Sequence, residues 1–301
     1  MRATACERGV KVLLFHNPTA GDDQPSADDL IDMLGKSGCG VAYLASDSPD
    51  LKRRLHDPVD LLVIAGGDGT VAKVLTEIRG PTAPVTILPM GTANNLARAL
   101  GIQAEIPELI VGFGDGRLVP LDFGMTEGPW GRQRFFESTG FGAIATALGP
   151  VNEAKVPSEE KIPQGRRAMK RVFHDLRPAR LQLVLDGQPV EEELLMLELT
   201  KIASLGPKLC LAPSADPGDG LIHVASLPAD RRALMMDWLD DPDHGPAPLI
   251  ARQAREVEVR WHDTPSHLDD YFHDEPDRPS VMRAWLEPSA VRVLVPGRQA
   301  G

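Results

Sequence analysis

Cysteine is scarce: Cys6, Cys39 and Cys210 are the only three in 301 residues. Their odd number and lack of metal-ligand spacing argue against a disulfide framework and against a thiolate metal centre. They point to reduced thiols in a cytoplasmic protein. Positive charge is also short, with 32 Lys and Arg against 43 Asp and Glu and a formal net charge of −11. The overall basic footprint of nucleic-acid binding is missing. An anionic membrane is a poor global match too, so any membrane contact must be local. No apolar run approaches the ~20 residues that span a bilayer. The early apolar stretch Val10–Phe15 is too short for a signal-peptide core and ends in polar residues, so it reads as a first strand. There is no internal repeat and no low-complexity tract.

What is present is the composition of an ordinary globular protein, 42% hydrophobic and 25% charged. The length suits about two domains of ~100–200 residues each. Over the first 120 or so residues, strand and helix patterns alternate. Strands are expected at Val10–Phe15, Val41–Ala45, Val59–Ala65 and Val85–Leu88. Helices are expected at Ala27–Lys36, from Ser48 (N-cap, with Pro49 in the first turn) through Leu55, at Thr70–Arg79 and at Ala93–Leu100. Such buried-type strands suit an open parallel sheet covered on both faces, a three-layer α/β domain. From about Leu121 short β-type segments take over: Arg134–Ser138, Arg180–Leu185, Leu194–Thr200, Leu221–Ala225, Val257–Trp261, Met282–Leu286 and Val291–Val295. They predict a β-rich, antiparallel, sandwich-like second domain. Helices at Glu159–Leu176 and Asp230–Leu239 interrupt it, and Asp240–Pro248 reads as a loop.

Three loops carry chemistry. Gly66-Gly67-Asp68-Gly69-Thr70 lies between a strand and a helix. Its glycines let the backbone approach a phosphate, and the helix start supplies free N–H groups. Beside phosphates, the sensible task of Asp68 is to hold Mg²⁺, directly or through water. Asn17-Pro18-Thr19-Ala20-Gly21 follows the first strand, and Pro89-Met90-Gly91-Thr92-Ala93-Asn94-Asn95-Leu96-Ala97-Arg98 follows the fourth. Each alone fits ordinary turn chemistry, with Thr92 or Asn94 as a helix cap. In a parallel sheet, however, loops after strand C-termini line one crevice, so the three are expected to converge.

In their order and spacing these motifs resemble the diacylglycerol kinase catalytic domain family, which includes bacterial lipid kinases and the sphingosine and ceramide kinases. Fainter echoes follow at Ser138–Ala143, Leu211–Leu221, His273-Asp274-Glu275-Pro276 and Ala290–Pro296. The resemblance implies ATP with Mg²⁺ bound between two lobes, with Gly66, Gly67, Asp68, Gly69 and Thr70 around the phosphates. Asn17, Thr92 and Asn94 would lie near the nucleotide, and Ser46 would match a family hydroxyl after the second strand. It implies a nucleotide domain over 1–122, rejoined by a last strand at about 290–301, and a lipid-acceptor domain over 123–289. It also implies a structural metal in the second domain, held by Asp216, Asp219 and the Leu221 carbonyl. In the phosphoryl-transfer chemistry, with Mg²⁺ near Asp68, Asp122 at the domain junction is expected to help the metal network. Asp219 in Asp-Gly, and Asp122, also fit as turn residues.

Two departures stand out. The family's late Asp-Gly-Glu-Pro, whose Asp is the base toward the acceptor hydroxyl, reads His273-Asp274-Glu275-Pro276 here. His273 then takes the base position with Glu275 orienting it, or Asp274 supplies the carboxylate after a one-residue shift. A one-residue shift on a strand turns a side chain to the opposite face, which favours His273. Gly142 replaces an Asp that touches the lipid head group in some relatives. The expected activity is ATP-dependent phosphorylation of a lipid hydroxyl, such as that of diacylglycerol. The alternatives are a catalytically silent nucleotide- or lipid-binding regulator, and a kinase for a soluble acceptor of the NAD-kinase kind. The expected partners are a lipid and a transient membrane surface at the inner face, with no nucleic acid and no membrane-spanning segment; a homodimer is left open. Lys161, Arg166, Arg167, Lys170 and Arg171 form a basic stripe that suits headgroups, but it reads better as a solvated helix face over a core-facing stripe.

Overall fold

The computed structural model describes residues 9–18, 25–80, 82–151 and 158–297. Thr19, Ala20 and Gly21 of the first loop, and Cys6, lie outside them. The chain divides into two compact units, Met1–Leu121 with Ser289–Gly301, and Asp122–Pro288.

In the first unit β1 (Lys11–His16), α1 (Ala27–Lys36), β2 (Gly40–Ala45), α2 (Leu51–Arg54), β3 (Leu61–Gly66), α3 (Asp68–Glu77), β4 (Val85–Pro89), α4 (Asn95–Ala99) and α5 (Ile106–Val111) follow in order. β1 pairs in parallel with β2 on one side and β3 on the other, and β3 pairs in parallel with β4. Val12 to Phe15 and Leu61 to Ala65 are almost fully covered. That is why these strands are continuous apolar runs: a parallel sheet buries both faces. α1 packs on α5, whereas α3 packs on α2 and α4, giving two separate helical layers. α1 begins where its sequence says it should. Ser26 accepts the Asp29 N–H at 3.2 Å, and Asp29 accepts the Ser26 N–H at 3.0 Å, a reciprocal capping box. α2 is shorter than expected. Ser48 does not cap it; its hydroxyl accepts the Asp50 N–H at 3.2 Å and closes a turn before Leu51.

In the second unit β5 (Arg117–Gly128, entered from the first unit), β6 (Gly131–Phe135), β7 (Ser138–Gly142), α6 (Ala143–Val151), α7 (Ser158–Asp175), β8 (Ala179–Leu185), β9 (Gln188–Thr200), β10 (Ser204–Leu205), β11 (Leu209–Cys210), β12 (Ile222–Pro228), α8 (Arg232–Trp238), β13 (Ile250–Ala254), β14 (Glu256–Trp261), β15 (Ser266–Leu268), β16 (Tyr271–His273) and β17 (Ser280–Val295) follow. The pairings within it are antiparallel. β9 forms a hairpin with β8 through its first half and lies between β7 and β12 through its second. The β8–β9 turn is Asp186-Gly187, both at positive φ, as a two-residue type I′ hairpin needs. Phe141, Leu183, Leu197, Leu199, Val224, Val257, Val259, Trp261 and Met282 build the core.

The two expected segments Met282–Leu286 and Val291–Val295 are one strand. β17 pairs with β14 at Ser280–Trp285, passes through Pro288, and reaches β4 at Val293 opposite Val85. On α7, Ala168, Met169 and Phe173 are buried. Three of its five Lys and Arg residues face acids: Lys170 meets Asp240 at 2.5 Å, Arg167 meets Glu160 at 3.2 Å and Arg166 meets Asp243 at 3.5 Å. The stripe is thus a solvated face, paired with acids at three positions and exposed at Lys161 and Arg171, over a core-facing one.

Candidate active site

The strand order β2-β1-β3-β4 reverses its direction of growth between β1 and β3. In open parallel sheets the crevice outside the strand C-termini at such a point takes the ligand. Two of the three motif loops leave from that point. Asn17 follows β1, its backbone N–H bonded to the Ala65 carbonyl of β3 at 3.0 Å. Its side-chain amide donates to the Thr70 hydroxyl at 3.2 Å. The third loop joins through Gly91. A Cβ on Gly91 would stand 2.5 Å from the Gly67 Cα, and one on Gly67 would stand 3.0 Å from the Gly91 Cα. A Cβ on Gly66 would meet the Thr70 side chain at 2.6 Å. Glycine is required at these positions for close approach, since none of the three has a positive φ.

Gly67 is the N-cap of α3, and helix begins at Asp68, inside the motif, two residues before the expected Thr70. Gly69 is the exposed second residue of that helix. Asp68 is half-buried, and its Oδ1 accepts the Leu96 N–H at 3.3 Å, which ties α3 to α4. Asn94 adopts a left-handed backbone, φ 50°. It makes no capping bond; its Oδ1 accepts the Gly91 N–H at 2.8 Å and its amide donates to the Gly91 carbonyl at 2.7 Å. Asn94 therefore shapes the loop, with Thr92 half-buried in the same bend. Ser46 is buried beyond β2, its N–H bonded to the His16 carbonyl at 2.8 Å. The structure brings Asn17, Gly66, Gly67, Asp68, Thr70, Gly91 and Asn94 into one network.

The remaining sequence-chosen residues lie in the second unit and form two groups. His273 ends β16, with its ring flat on Trp130, centroids 4.4 Å apart and planes at 7°. Burial, then the charge of nearby His267, hold its pKa below the ordinary 6.5. Its Nε2 is covered and has no hydrogen-bond partner among the described residues. Asp274 and Glu275 follow in an exposed loop. Gly142 ends β7 at φ 84°, and a Cβ there would fall 2.4 Å from the Leu195 carbonyl oxygen. This backbone has no room for an Asp side chain at that position.

The second group surrounds the 216–221 turn. Asp122, 2% exposed, donates its N–H to the Pro217 carbonyl at 2.9 Å and accepts the Gly220 N–H at 2.9 Å. Asp216 accepts the Gly218 N–H, and Asp219 accepts the Leu221 N–H, both at 2.9 Å. The other oxygen of Asp219 meets His223 Nε2 at 2.9 Å.

Sequence reasoning missed Lys201 and the pair His267–Glu198. The Lys201 ammonium donates to the Pro217 carbonyl at 2.9 Å. Burial pulls its pKa down to about 8, against the opposing pull of Asp122, Asp219, Asp216 and Asp269. His267 Nε2 meets both carboxylate oxygens of Glu198, at 3.0 and 3.1 Å, with neither residue exposed beyond 1%. The signal for both was local: a Glu inside the apolar run Leu194–Leu199, and a Lys just past the end of the same strand.

Residues 11–126 match the family model described as the diacylglycerol kinase catalytic domain. This stretch belongs to the diacylglycerol kinase catalytic domain family. A diacylglycerol kinase of Mycobacterium tuberculosis (strain ATCC 25618 / H37Rv) is 28% identical over 245 residues, 75% of this chain and 76% of that protein. A diacylglycerol kinase of Bacillus subtilis is 30% identical over 180 residues, 56% of this chain and 55% of that protein. A crystal structure of a diacylglycerol kinase from Bacillus anthracis shares the fold, with a TM-score of 0.69 at 18% identity over 95% of this chain and 97% of that one. An Archaeoglobus fulgidus NAD kinase solved in complex with ATP is a more distant fold relative. Its TM-score is 0.55 at 12% identity, covering 96% and 94% of the two chains.

Proposed function

We propose that this chain is an ATP-dependent kinase that phosphorylates a hydroxyl of a lipid such as diacylglycerol or a related lipid alcohol. The single observation that carries this reading is the near-contact of Gly67 and Gly91, between the loops after β3 and β4, beside the β1–β3 switch point. It leaves a side-chain-free cradle at the start of α3, where backbone N–H groups receive phosphate. Gly66 to Thr70 would hold the triphosphate, with the amide of Asn17 fixing the Thr70 hydroxyl. Mg²⁺ accompanying the nucleotide would supply neutralisation of the charge that develops on the transferred phosphoryl group. Asp68 suits it: a half-buried carboxylate at the cradle, and the one acidic residue in the first turn of α3.

Phosphoryl transfer asks little covalent help of the protein beyond position and a place for the acceptor's proton. In the second unit, His273 has the chemistry for that proton. Its lowered pKa keeps the ring neutral at neutral pH, and its Nε2 carries no competing hydrogen bond among the described residues. To act, Nε2 must come out from under its cover beside Trp130. Asp274 and Glu275, both exposed, are the carboxylates available next to it. A lipid acceptor implies contact with a membrane surface, made peripherally, as no described helix is long and apolar enough to cross one.

The test is label transfer from γ-labelled ATP with Mg²⁺ to diacylglycerol, to a long-chain base and to NAD in parallel, with nucleotide uptake followed by calorimetry. Label in a lipid alcohol supports the reading. Label in NAD alone shifts the acceptor class to soluble compounds. Uptake of ATP with no transfer to any acceptor marks a silent binding protein, and absence of uptake removes the proposal.

A further inference from the structure

The family resemblance leads to the expectation of a divalent cation held by Asp216, Asp219 and the Leu221 carbonyl; the surroundings of that turn do not fit one. Hard divalent cations take six or more oxygen ligands with little competition. Here both oxygens of Asp219 are engaged, one by the Leu221 N–H and one by His223 Nε2. Asp216 and Asp122 each spend an oxygen on a backbone N–H of the same turn. Among the described residues, no three acidic, His or Cys side chains are grouped as a metal would need.

A positive charge is nevertheless already there. Lys201 is 1% exposed, one of the largest fully buried side chains of the protein. Its ammonium reaches the Pro217 carbonyl at 2.9 Å, the same oxygen that accepts the Asp122 N–H. A buried ammonium persists only where opposite charges repay its desolvation. The carboxylates of Asp122, Asp219, Asp216 and Asp269 offset part of that cost, and the Pro217 carbonyl takes one of the ammonium's hydrogen bonds. A divalent ion placed in the same turn would meet the like charge of the buried Lys201 ammonium from the solvent side, where Asp216 and Asp219 are exposed.

We propose that the Lys201 ammonium is the built-in cation of the 216–221 turn and takes the place of a structural metal ion. The second unit then holds this turn without any divalent cation, and the protein's need for one is confined to the nucleotide. The proposal stands whether or not the chain transfers phosphate, because it concerns the folding of one turn.

The experiment uses the full-length protein without nucleotide. Thermal midpoints are read by circular dichroism in chelator and then in millimolar Ca²⁺ or Mg²⁺, and bound metal is measured by mass spectrometry. The wild type should carry no stoichiometric divalent cation and show the same midpoint in both media. Lys201→Ala opens the space and removes the charge; its midpoint should fall, and Ca²⁺ should raise it again, but not in Lys201→Ala combined with Asp219→Asn. A wild-type protein holding one divalent cation, losing midpoint with it in chelator and lacking it in Asp219→Asn, would overturn the proposal. So would a Lys201→Ala midpoint equal to the wild type's. Should Lys201→Ala not fold, the wild-type metal content and chelator response decide alone.

Discussion

Gly67 and Gly91 come from loops 24 residues apart in sequence, yet a Cβ added to Gly91 would lie only 2.5 Å from the Gly67 Cα. Both neighbours are backbone, so neither side can swing away. Gly91→Ala should therefore push the two loops apart at the mouth of the cradle. Overpacking of this kind costs about 1–3 kcal/mol of stability, so the variant should remain folded by circular dichroism. ATP uptake by calorimetry should fall by at least ~10-fold. Wild-type affinity in Gly91→Ala would show that the nucleotide does not use this approach.

Asp68 offers a cleaner separation of binding from transfer. Its Oδ1 holds the Leu96 N–H, and an Asn side chain can keep that bond while losing the charge. Asp68→Asn should thus retain nucleotide affinity within a small factor and lose roughly 10²–10³-fold in transfer rate, the usual scale for one preorganised electrostatic group. Excess Mn²⁺ should restore part of the rate. Full turnover in Asp68→Asn would remove its metal role.

The nucleotide unit was legible because its signals are local. Each motif loop directly follows an apolar strand, and in a parallel sheet strand order alone decides which loops meet. The helix start at Asp68 was misjudged by two residues because the Gly-Gly pair reads as a break, while Gly67 in fact serves as the cap. The second unit was less legible. Its strands are brought together over long separations: Thr139 of β7 faces Leu268 of β15, and His267 meets Glu198 across 69 residues. β15 and β16 are three residues each and carry His and Ser, so no apolar alternation announces them. β17 was split in two because Pro288 reads as a stop, although the strand runs through it. α6 was missed too, as its Ala-rich stretch lacks a polar face to set a period.

His273 predicts a pH dependence with a definite sign. A base must be neutral to take the acceptor's proton, and burial with the nearby His267 charge holds this ring's pKa below 6.5. The acid limb of kcat/KM should therefore fall at a pH below 6.5, not at it. His273→Ala should lose about 10²–10⁴-fold in kcat, keep ATP affinity, and lack that limb. Trp130→Leu removes the ring stacked on His273 and should move the limb without abolishing turnover. A limb unchanged in His273→Ala would assign the proton to Asp274 or to another group.

The His267–Glu198 pair makes the last prediction, one of stability. Burial opposes the charge on His267, but the Glu198 carboxylate, by charge and hydrogen bond, and then Asp269 override it and leave its pKa raised. A histidine whose folded pKa exceeds its unfolded value contributes stability that is fully present below the unfolded value, ~6.5, and is lost as pH rises through the folded one. The denaturant midpoint should decline above neutral pH for this reason. Glu198→Ala leaves the imidazole without its counter-charge and should cost about 3–5 kcal/mol, the range for breaking a buried pair from one side. Glu198→Gln should cost less and flatten the decline. The site also explains Gly140, where a Cβ would fall 2.3 Å from Glu198 Oε1; Gly140→Ala should displace the carboxylate and reproduce the Glu198 loss. Equal pH profiles for the wild type and Glu198→Gln would show that the pair is held by a neutral hydrogen bond, with no charge on His267.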